Sequence, residues 1–280
     1  MSLQNKTIVI YGVTSGFASE FTHSANVIFS APESDELKEL LACMKIRDNN
    51  VDGSIHCFKD NNTVDHWNTQ SKLITLAVEK YNYVDVIFSL AGIFDIPQLN
   101  NLSVEQLVTE ATLELNMASI VTLNRLAIRQ FIKQGESGCI INTCPLVGAC
   151  GDLFDPLFFA AKSGIVGITK SYASLLESTS IRVNCIVPDI QAKKCVERFN
   201  PRLSDSLGGE GDLEWLSYDH CIKVYLAIIE STNTNGYTWT VTANQSSFDS
   251  LSKTIQLLKS YINCRKKGKM TSCRKLEIIF

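Results

Sequence analysis

Two glycines near the N-terminus have the spacing of a turn that holds phosphate. Gly12 and Gly16 lie four residues apart in YGVTSGFA (11–18), directly after the apolar run KTIVIYG (6–12). Gly12 permits a tight turn and Gly16 permits close approach of the backbone, so the N–H groups and the positive dipole end of a following helix can face a pyrophosphate. The pattern predicts a dinucleotide site. The alternative is that both glycines serve only the turn itself.

An amide and an ammonium group occur in otherwise apolar helical segments. In the segment 104–133, Asn116 shares a face with apolar residues at three- and four-residue steps, which are Leu113, Ile120, Leu123 and Ala127. Lys162 lies in PLFFAAKSG (156–164), four residues after Phe158. A buried amide or ammonium group costs free energy unless it has partners. Both are therefore candidates for a binding site, although Asn116 could equally serve only to join its helix to the sheet backbone.

Short β-branched runs alternate with longer helical patterns along the chain. Seven runs predict strands, most of them apolar enough to be buried on both faces: 6–12, 26–31, 53–58, 84–92, 138–144, 181–188 and 237–243. Six further segments predict helices: 33–44, 63–81, 104–133, 157–177, 214–231 and 248–262. Parallel strands need crossover connections, which helices supply. The sequence predicts a single doubly wound α/β domain of Rossmann type with a mostly parallel seven-stranded sheet.

These motifs, in this order, resemble those of the short-chain dehydrogenase/reductase family. YGVTSGFA resembles the family's T-G-x-x-x-G-x-G turn, SLAG (89–92) its N-N-A-G, and PD (188–189) its P-G after the sixth strand. Asn116 falls at the active-site asparagine, Pro145 at the serine, and Phe158 and Lys162 at the Y-x-x-x-K pair, with the family's typical 13 residues from 145 to 158. The resemblance runs from residue 6 to about 243. Within the family, KSGIVGITKS (162–171) and GYTWTVT (236–242) most resemble the 15-hydroxyprostaglandin dehydrogenase branch and its insect alcohol dehydrogenase relatives.

The resemblance implies a role for each matched position. In the family, a tyrosine acts as general acid and base on a carbonyl or alcohol, a lysine lowers its pKa and binds the nicotinamide ribose, a serine holds the substrate oxygen, and an asparagine supports a proton relay. The implied catalytic positions are Lys162 and Asn116, which are retained, and Phe158 and Pro145, which are substituted. The implied cofactor-binding positions are Gly12, Ser15, Gly16, Phe17, Ala91, Gly92, Lys162 and Pro188.

Both substitutions remove groups that the family's reaction needs. Phenylalanine has the ring of tyrosine without its hydroxyl group, and proline has neither a hydroxyl group nor an N–H. Loss of the acid lowers a rate by roughly 10²–10⁴, and loss of the polarising donor lowers it by roughly 10²–10³. The thiol of Cys144, next to Pro145, is an alternative donor, although a weak one. We expect the family's reaction to be nearly absent.

The cofactor that the resemblance implies is NAD or NADP, and we expect its binding to be weak or absent. The second strand ends in FSAP (29–32), with neither the carboxylate that takes the adenosine ribose in NAD sites nor an arginine for NADP, and Glu33 is the nearest acid. Asp189 replaces the family's glycine near the nicotinamide. Its carboxylate is a candidate partner for Lys162, and it would repel a phosphate-bearing cofactor.

Composition and charge restrict the classes of partner. A net charge of −3 gives no electrostatic reason to expect nucleic acid or an anionic membrane. No apolar run reaches the ~20 residues of a membrane span, and the N-terminal run is too short for a signal peptide, so we expect a cytoplasmic protein. Ten scattered cysteines without a C-x-x-C pair favour buried thiols over disulfides, and four histidines lack metal-ligand spacing.

We expect one domain over 1–262 and a basic, flexible tail over 263–280. The segments 104–133 and 157–177 resemble the helices through which the family dimerises, which implies a homodimer or tetramer. Two functions stay open. The first is a non-catalytic relative with a binding or regulatory role. The second is an NAD(P)-dependent oxidoreductase that acts on an alcohol or ketone by a modified mechanism.

Overall fold

One mostly parallel sheet connects the residues that the computed structural model describes, which are 3–12, 25–32, 55–60, 66–92, 112–144, 156–188, 218–241 and 246–249. Its strands are β1 Thr7–Tyr11, β2 Asn26–Pro32, β3 Ile55–Asp60, β4 Val86–Ser89, β5 Gly138–Thr143, β6 Ile181–Pro188, β7 Thr238–Val241 and β8 Ser246–Asp249. Their order is β3-β2-β1-β4-β5-β6-β7-β8. All pairs are parallel except β7 with β8, which is antiparallel.

All seven predicted strands are confirmed, and β8 is an addition to them. The predicted helix over 248–262 is wrong at its start, because Phe248 and Asp249 belong to β8, and 250–262 lie outside the described residues. A strand of four residues is too short to show a periodicity of its own. Its conformation is set by the hydrogen bonds that it makes to the otherwise open edge of β7.

Five helices are described. They are α1 His66–Tyr81, α2 Ser119–Gln134, α3 Pro156–Ser171, α4 Leu175–Ser178 and α5 Tyr218–Glu230. A π-helical turn, Glu114–Ala118, runs directly into α2, and a 3₁₀ turn, Tyr172–Ser174, joins α3 to α4. None of the described helices is long and apolar enough to cross a bilayer. The predicted helix over 33–44 lies outside the described residues.

The two faces of the sheet each carry a helix layer and an apolar core. Along β1, Ile8 and Ile10 pack in one core with α5, whereas Val9 and Tyr11 pack in the other with α1 and α2. Side chains alternate between the faces of a strand, so a strand covered on both sides needs apolar residues throughout. This explains the unbroken apolar runs of the sequence and confirms the doubly wound architecture.

The π turn displaces the start of the predicted apolar face on 104–133. Asn116, Ile120, Leu123 and Ala127 are fully buried, whereas Leu113 is 38% exposed. The prediction assumed 3.6 residues per turn throughout, and a π turn contains more. Leu113, which precedes that turn, is therefore out of phase with the buried side chains that follow it.

Candidate functional site

The matched positions that the structure describes lie at one edge of the sheet. Gly12 follows β1, Ala91 and Gly92 follow β4, and Pro188 is the last residue of β6. The central strands β1, β4, β5 and β6 are parallel neighbours, so their carboxyl ends meet at the same edge. Open α/β sheets bind ligands in the crevice outside these ends.

Gly12 is required by close packing of the backbone. Its φ is +83°, and a Cβ placed on it would lie 2.3 Å from Ala91 Cα. Its N–H donates to Ser30 Oγ at 3.3 Å, so the polar residue near the end of β2 holds the turn in place. Gly12 is thus needed by the fold whether or not a nucleotide binds, which supports the structural interpretation of this glycine.

Lys162 is buried on α3 with its amine against the backbone after β4. The residue is 3% exposed, and Nζ donates to the Ala91 carbonyl at 3.0 Å. Nζ also lies 5.6 Å from the centroid of the Phe158 ring. Phe158 is one helical turn earlier on α3 and is buried beneath the same site. The ring therefore occupies the side of the lysine at which the family's tyrosine is expected.

Burial sets the protonation of Lys162. Removal from water lowers the pKa of its amine from 10.5 to about 8, and the thiols of Cys144 and Cys185 oppose this shift. Burial and Cys144 raise the pKa of the Cys185 thiol well above its ordinary value, while Lys162 acts in the opposite direction. Within the described part of the chain, no carboxylate pairs with Lys162. The amine of Lys162 is therefore surrounded by a backbone carbonyl, an aromatic ring and two thiols.

Asn116 meets Lys162 beside Gly92. A Cβ on Gly92 would lie 2.8 Å from Lys162 Nζ and 2.9 Å from Asn116 Oδ1, so both polar atoms border the same point. Asn116 is fully buried in the middle of the π turn. Such turns recur at functional sites, because they re-aim a side chain within a continuous helix. The structure thus brings together the amine, the amide and the backbone after β4.

The thiol of Cys144 lies in a buried cluster rather than at an open surface. Cys144 and Cys185 are fully buried with Ile120, Ile165 and Val187. The Cys144 N–H donates to the Ile186 carbonyl at 2.9 Å, which fixes this residue to β6.

Three features of this edge were missed by sequence reasoning. The first is Cys185 of β6, whose thiol lies near enough to Lys162 for the two groups to change each other's pKa. The sequence alone indicates only that Cys185 is a buried strand residue. The second is Asp60, an acidic residue that pairs in register with Pro32 where β2 and β3 end. The third is a buried tyrosine: Tyr225 OH lies 2.7 Å from Thr143 Oγ1.

Tyr225 lies on the face of the sheet opposite to α3 and Lys162. It belongs to α5 and packs in the core on the face of the sheet opposite to the cluster of Cys144 and Ile165. Burial raises the pKa of its phenol further above the ordinary value. In the sequence, Tyr225 is only one of the residues on the apolar face of α5, and nothing there indicates its contact with Thr143.

Several predicted positions lie outside the described residues. They are Ser15, Gly16 and Phe17 of the phosphate turn, Pro145 of the serine position, and Asp189. The site is therefore described by its sheet edge, α3 and the π turn.

A cavity of about 410 Å³ opens at the opposite edge of the sheet, where β4, β5 and β6 begin. Its cations are already engaged: Lys6 pairs with Asp85 at 2.7 Å, and Arg182 donates to the Ile228 carbonyl at 2.9 Å near the end of α5. This cavity is remote from Lys162 and is not part of the candidate site.

Comparison with known proteins agrees with the geometry. A family model for short chain dehydrogenases matches residues 6–202. The chain is 30% identical over 191 residues to (+)-borneol dehydrogenase 1 of Salvia officinalis, a match that covers 66% of this chain and 70% of that protein. It is 34% identical over 119 residues to 3beta-hydroxysteroid dehydrogenase 2 of Eggerthella lenta, which covers 41% of this chain and 44% of that protein.

The fold has solved counterparts as well. A variant actinorhodin polyketide ketoreductase, solved with NADPH, superposes with a TM-score of 0.68 at 19% identity, covering 87% of this chain and 98% of that one. The family model spans most of the chain, and the helical segments that carry Lys162 and Asn116 place them at the carboxyl edge of a Rossmann sheet. This protein therefore belongs to the short-chain dehydrogenase/reductase family.

Proposed function

We propose that this chain is a pseudo-dehydrogenase, a family member that is inactive or severely impaired in the tyrosine-dependent reaction and has a binding or regulatory role. The observation that carries the proposal is the buried Phe158 ring, 5.6 Å from Lys162 Nζ. At this position a phenol would exchange a proton with the substrate, and a phenyl ring cannot. Pro145 removes a second hydroxyl group from the same reaction centre.

The chemistry of the remaining groups supports this proposal. The buried Tyr225 faces the other side of the sheet, and the Cys144 thiol is enclosed in an apolar cluster. Neither group is arranged to supply the proton that Phe158 lacks. A rate deficit of roughly 10²–10⁴ follows from loss of the acid alone.

The ligand that we propose for this edge is a nicotinamide nucleotide or another small molecule. The amine of Lys162 and the amide of Asn116, which both lie beside Gly92, fit the family's cofactor positions. In this proposal Gly12, Ser15, Gly16, Phe17, Ala91, Gly92, Lys162 and Pro188 contact the nucleotide. NADPH in the related polyketide ketoreductase supports NAD(P) as a class. The choice between NAD and NADP stays open.

A second candidate function is an NAD(P)-dependent oxidoreductase acting on an alcohol or ketone. It is favoured by the retention of Lys162 and Asn116, whose Nζ and Oδ1 atoms both lie beside Gly92. Two relatives whose names are those of dehydrogenases support this class. The similarity to the 15-hydroxyprostaglandin dehydrogenase branch, and a homodimer or tetramer formed through α2 and α3, remain part of the proposal.

Titration of the purified protein with NADH and NADPH, beside a Phe158→Tyr, Pro145→Ser double variant, tests the two functions. We expect wild-type turnover on a carbonyl panel to lie at background. The double variant should turn over at least tenfold faster if it binds nucleotide, because it restores both hydroxyl groups. Phe159→Tyr is the matched control, since Phe159 is also buried and packs against Phe158 at 5.5 Å between ring centroids.

Two results would reject the pseudo-dehydrogenase or its nucleotide ligand. Wild-type turnover that lies above background and is comparable with that of the double variant would favour the oxidoreductase. If neither protein binds nucleotide, NAD(P) is not the ligand, and the pocket should be screened with other small molecules.

A further inference from the structure

We propose that the cavity where β4, β5 and β6 begin binds a small carboxylic acid with an apolar body, whose carboxylate pairs with Arg182. The cavity has a volume of about 410 Å³ and is lined in part by this arginine. It goes beyond the proposed function, whose nucleotide lies at the opposite, carboxyl edge of the sheet. The two proposals rest on different residues, so either holds without the other.

Arg182 borders the cavity as a buried cation. It is 8% exposed and lies near the start of β6, in register with Cys139 of β5. Its Nη1 donates to the Ile228 carbonyl at 2.9 Å and to the carbonyl and hydroxyl oxygens of Thr234, both at 3.3 Å. Its Nη2 donates to the Ile229 carbonyl at 3.1 Å. These acceptors are neutral, so they anchor the guanidinium at the end of α5 without supplying a counter-charge.

One side of the guanidinium has no oxygen acceptor among the described residues. A guanidinium carries five N–H groups, and the bonds at Nη1 and Nη2 use three of them. The N–H of Nε and the second N–H of Nη2 remain, and they point in parallel along one side of the planar group. Two parallel N–H groups match the two oxygens of a carboxylate. Arg182 therefore offers the donors of a bidentate carboxylate site.

The thiol of Cys139 hydrogen-bonds with this guanidinium but does not neutralise it. Burial raises the pKa of the thiol to about 11, and Arg182 opposes that shift only in part. The thiol is therefore neutral at pH 7, and neutral sulfur is a weak acceptor. A buried charge without a counter-ion costs free energy. A carboxylate in the cavity would supply the negative charge that the thiol and the carbonyl groups lack.

The other charged groups that line the cavity do not compensate Arg182. Lys6 and Asp85 pair with each other at 2.7 Å, and Asp85 also accepts from the Thr7 N–H at 2.8 Å. Glu230, the last residue of α5, is exposed, so water and salt screen its charge. Within the described ranges, Arg182 has no ion pair with a carboxylate.

Apolar side chains form much of the remaining wall and determine the body of the ligand. They are Leu3, Val86, Leu176 and Ile229. A chain of a few methylene groups would remove these side chains from water, at a gain for each buried group. The volume of about 410 Å³ lies within the range of small-molecule sites. This lining favours a monocarboxylate with a short apolar chain over a phosphate ion, which would leave the apolar wall uncovered.

Isothermal titration calorimetry of the full chain with octanoate, octanol and acetate tests the proposed ligand class. We expect octanoate to bind with a Kd of roughly 10 µM to 1 mM. Octanol lacks the carboxylate and acetate lacks the apolar body, so each should bind at least tenfold more weakly. Octanol that binds as tightly as octanoate overturns the pairing with Arg182. No heat of binding up to about 10 mM octanoate overturns the site itself.

Two glutamate variants locate the ligand without removing Arg182. Ser180 lines the cavity two residues before Arg182 and is exposed. Ser180→Glu brings a competing carboxylate to the cavity, so octanoate should bind at least tenfold more weakly. Ser178→Glu is the matched control, because Ser178 is exposed at the end of α4 and does not line the cavity. It should bind octanoate as wild type does. Equal affinities of the two variants overturn the proposal.

Arg182→Lys tests the paired N–H groups, because lysine keeps the charge and loses the planar fork. Octanoate should bind it at least tenfold more weakly, with circular dichroism reporting whether the end of α5 is preserved. Wild-type affinity in a folded variant contradicts bidentate pairing. If this variant does not fold, the comparison of Ser180→Glu with Ser178→Glu decides.

Titration of octanoate with and without NADH separates this site from the proposed function. We expect the affinity for octanoate to be unchanged by NADH, because the two sites lie at opposite edges of the sheet. Competition between the two ligands would place octanoate at the carboxyl edge and overturn the proposal. Failure of NADH to bind counts against the nucleotide alone, since octanoate binding is measured separately.

Discussion

At the scale of single residues, the site is governed by the burial of one cation. A cation over an aromatic ring gains ~0.5–2 kcal/mol, so the Phe158 ring offsets part of the cost of burying Lys162. The fall in its pKa from 10.5 to about 8 means that burial outweighs the ring, the carbonyl and the two thiols together. Such a lysine costs stability whenever it is charged.

The pH dependence of stability tests this balance. The unfolded chain binds a proton at Lys162 up to its ordinary pKa of 10.5, and the folded chain releases it at about 8. Stability therefore rises with pH between these two values and is lowest below pH 8. Relative to Lys162→Met, wild type should gain about 3 kcal/mol between pH 8 and pH 10.5. Urea unfolding of both proteins measures the difference, in which the titrations of groups that do not interact with Lys162 cancel. A pH-independent difference contradicts the buried charge.

Gly12 provides a second test at this scale. In Gly12→Ala the new Cβ would lie 2.3 Å from Ala91 Cα, in backbone that cannot easily move, at a φ of +83°. We expect a loss of about 2–5 kcal/mol in the free energy of unfolding. Gly135→Ala is the control, because Gly135 has a φ of +68° but nothing within 4 Å of its Cβ position. It should lose only about 1–2 kcal/mol, for the left-handed backbone. Equal losses would show that packing against Ala91 has no effect.

At the scale of elements, the carboxyl end of β5 is fixed on both faces of the sheet. On one face Cys144 packs with Ile165 of α3, and on the other Thr143 bonds to Tyr225 of α5 at 2.7 Å. The phenol of Tyr225 also packs edge-on against Phe88 of β4, with 5.2 Å between ring centroids. These contacts hold the strand end from which the chain enters the Pro145 segment.

A double-mutant cycle measures the bond between β5 and α5. Thr143→Val and Tyr225→Phe each remove one side of this part-buried hydrogen bond, so each should cost about 1–3 kcal/mol. The double variant removes both hydroxyl groups, and its loss should fall short of the sum by about 0.5–1.5 kcal/mol. Tyr172→Phe, in the 3₁₀ turn after α3, is a control outside this pair. Strict additivity in the cycle would mean that the bond does not stabilise the fold.

At the scale of the whole molecule, stability is expected to be highest in the central strands. β1, β4 and β6 are buried throughout and lie between parallel neighbours, whereas β8 has a single neighbour, β7, among the strands that the structure describes. Amides of β1, β4 and β6 should therefore exchange only through global unfolding, and those of β8 should exchange faster through local opening. Native-state hydrogen exchange with mass spectrometry checks this order. Equal protection of β8 and β6 would mean that the edge strand unfolds with the core.

Prediction succeeded where the signal is local and failed where it depends on a distant partner. The strands β1, β4, β5 and β6 are recognisable because burial on both faces demands unbroken apolar runs. β8 was missed because its four residues become a strand only through pairing with β7. Leu113 was assigned to the wrong face because the residues around it give no indication of the π turn that follows.

The sequence by itself determined the layered α/β architecture and the family, and it places two residues without a hydroxyl group, Phe158 and Pro145, where the proposed function expects the family's tyrosine and serine. These follow from residue identity and from periodicity, which are local properties. Only the tertiary structure decided that Lys162 donates to Ala91, that Asn116 meets it beside Gly92, and that Tyr225 lies on the opposite face. These contacts join residues up to 82 positions apart, and strand order and helix packing bring them together. The protonation of the lysine follows from that packing, because burial is a property of the folded chain.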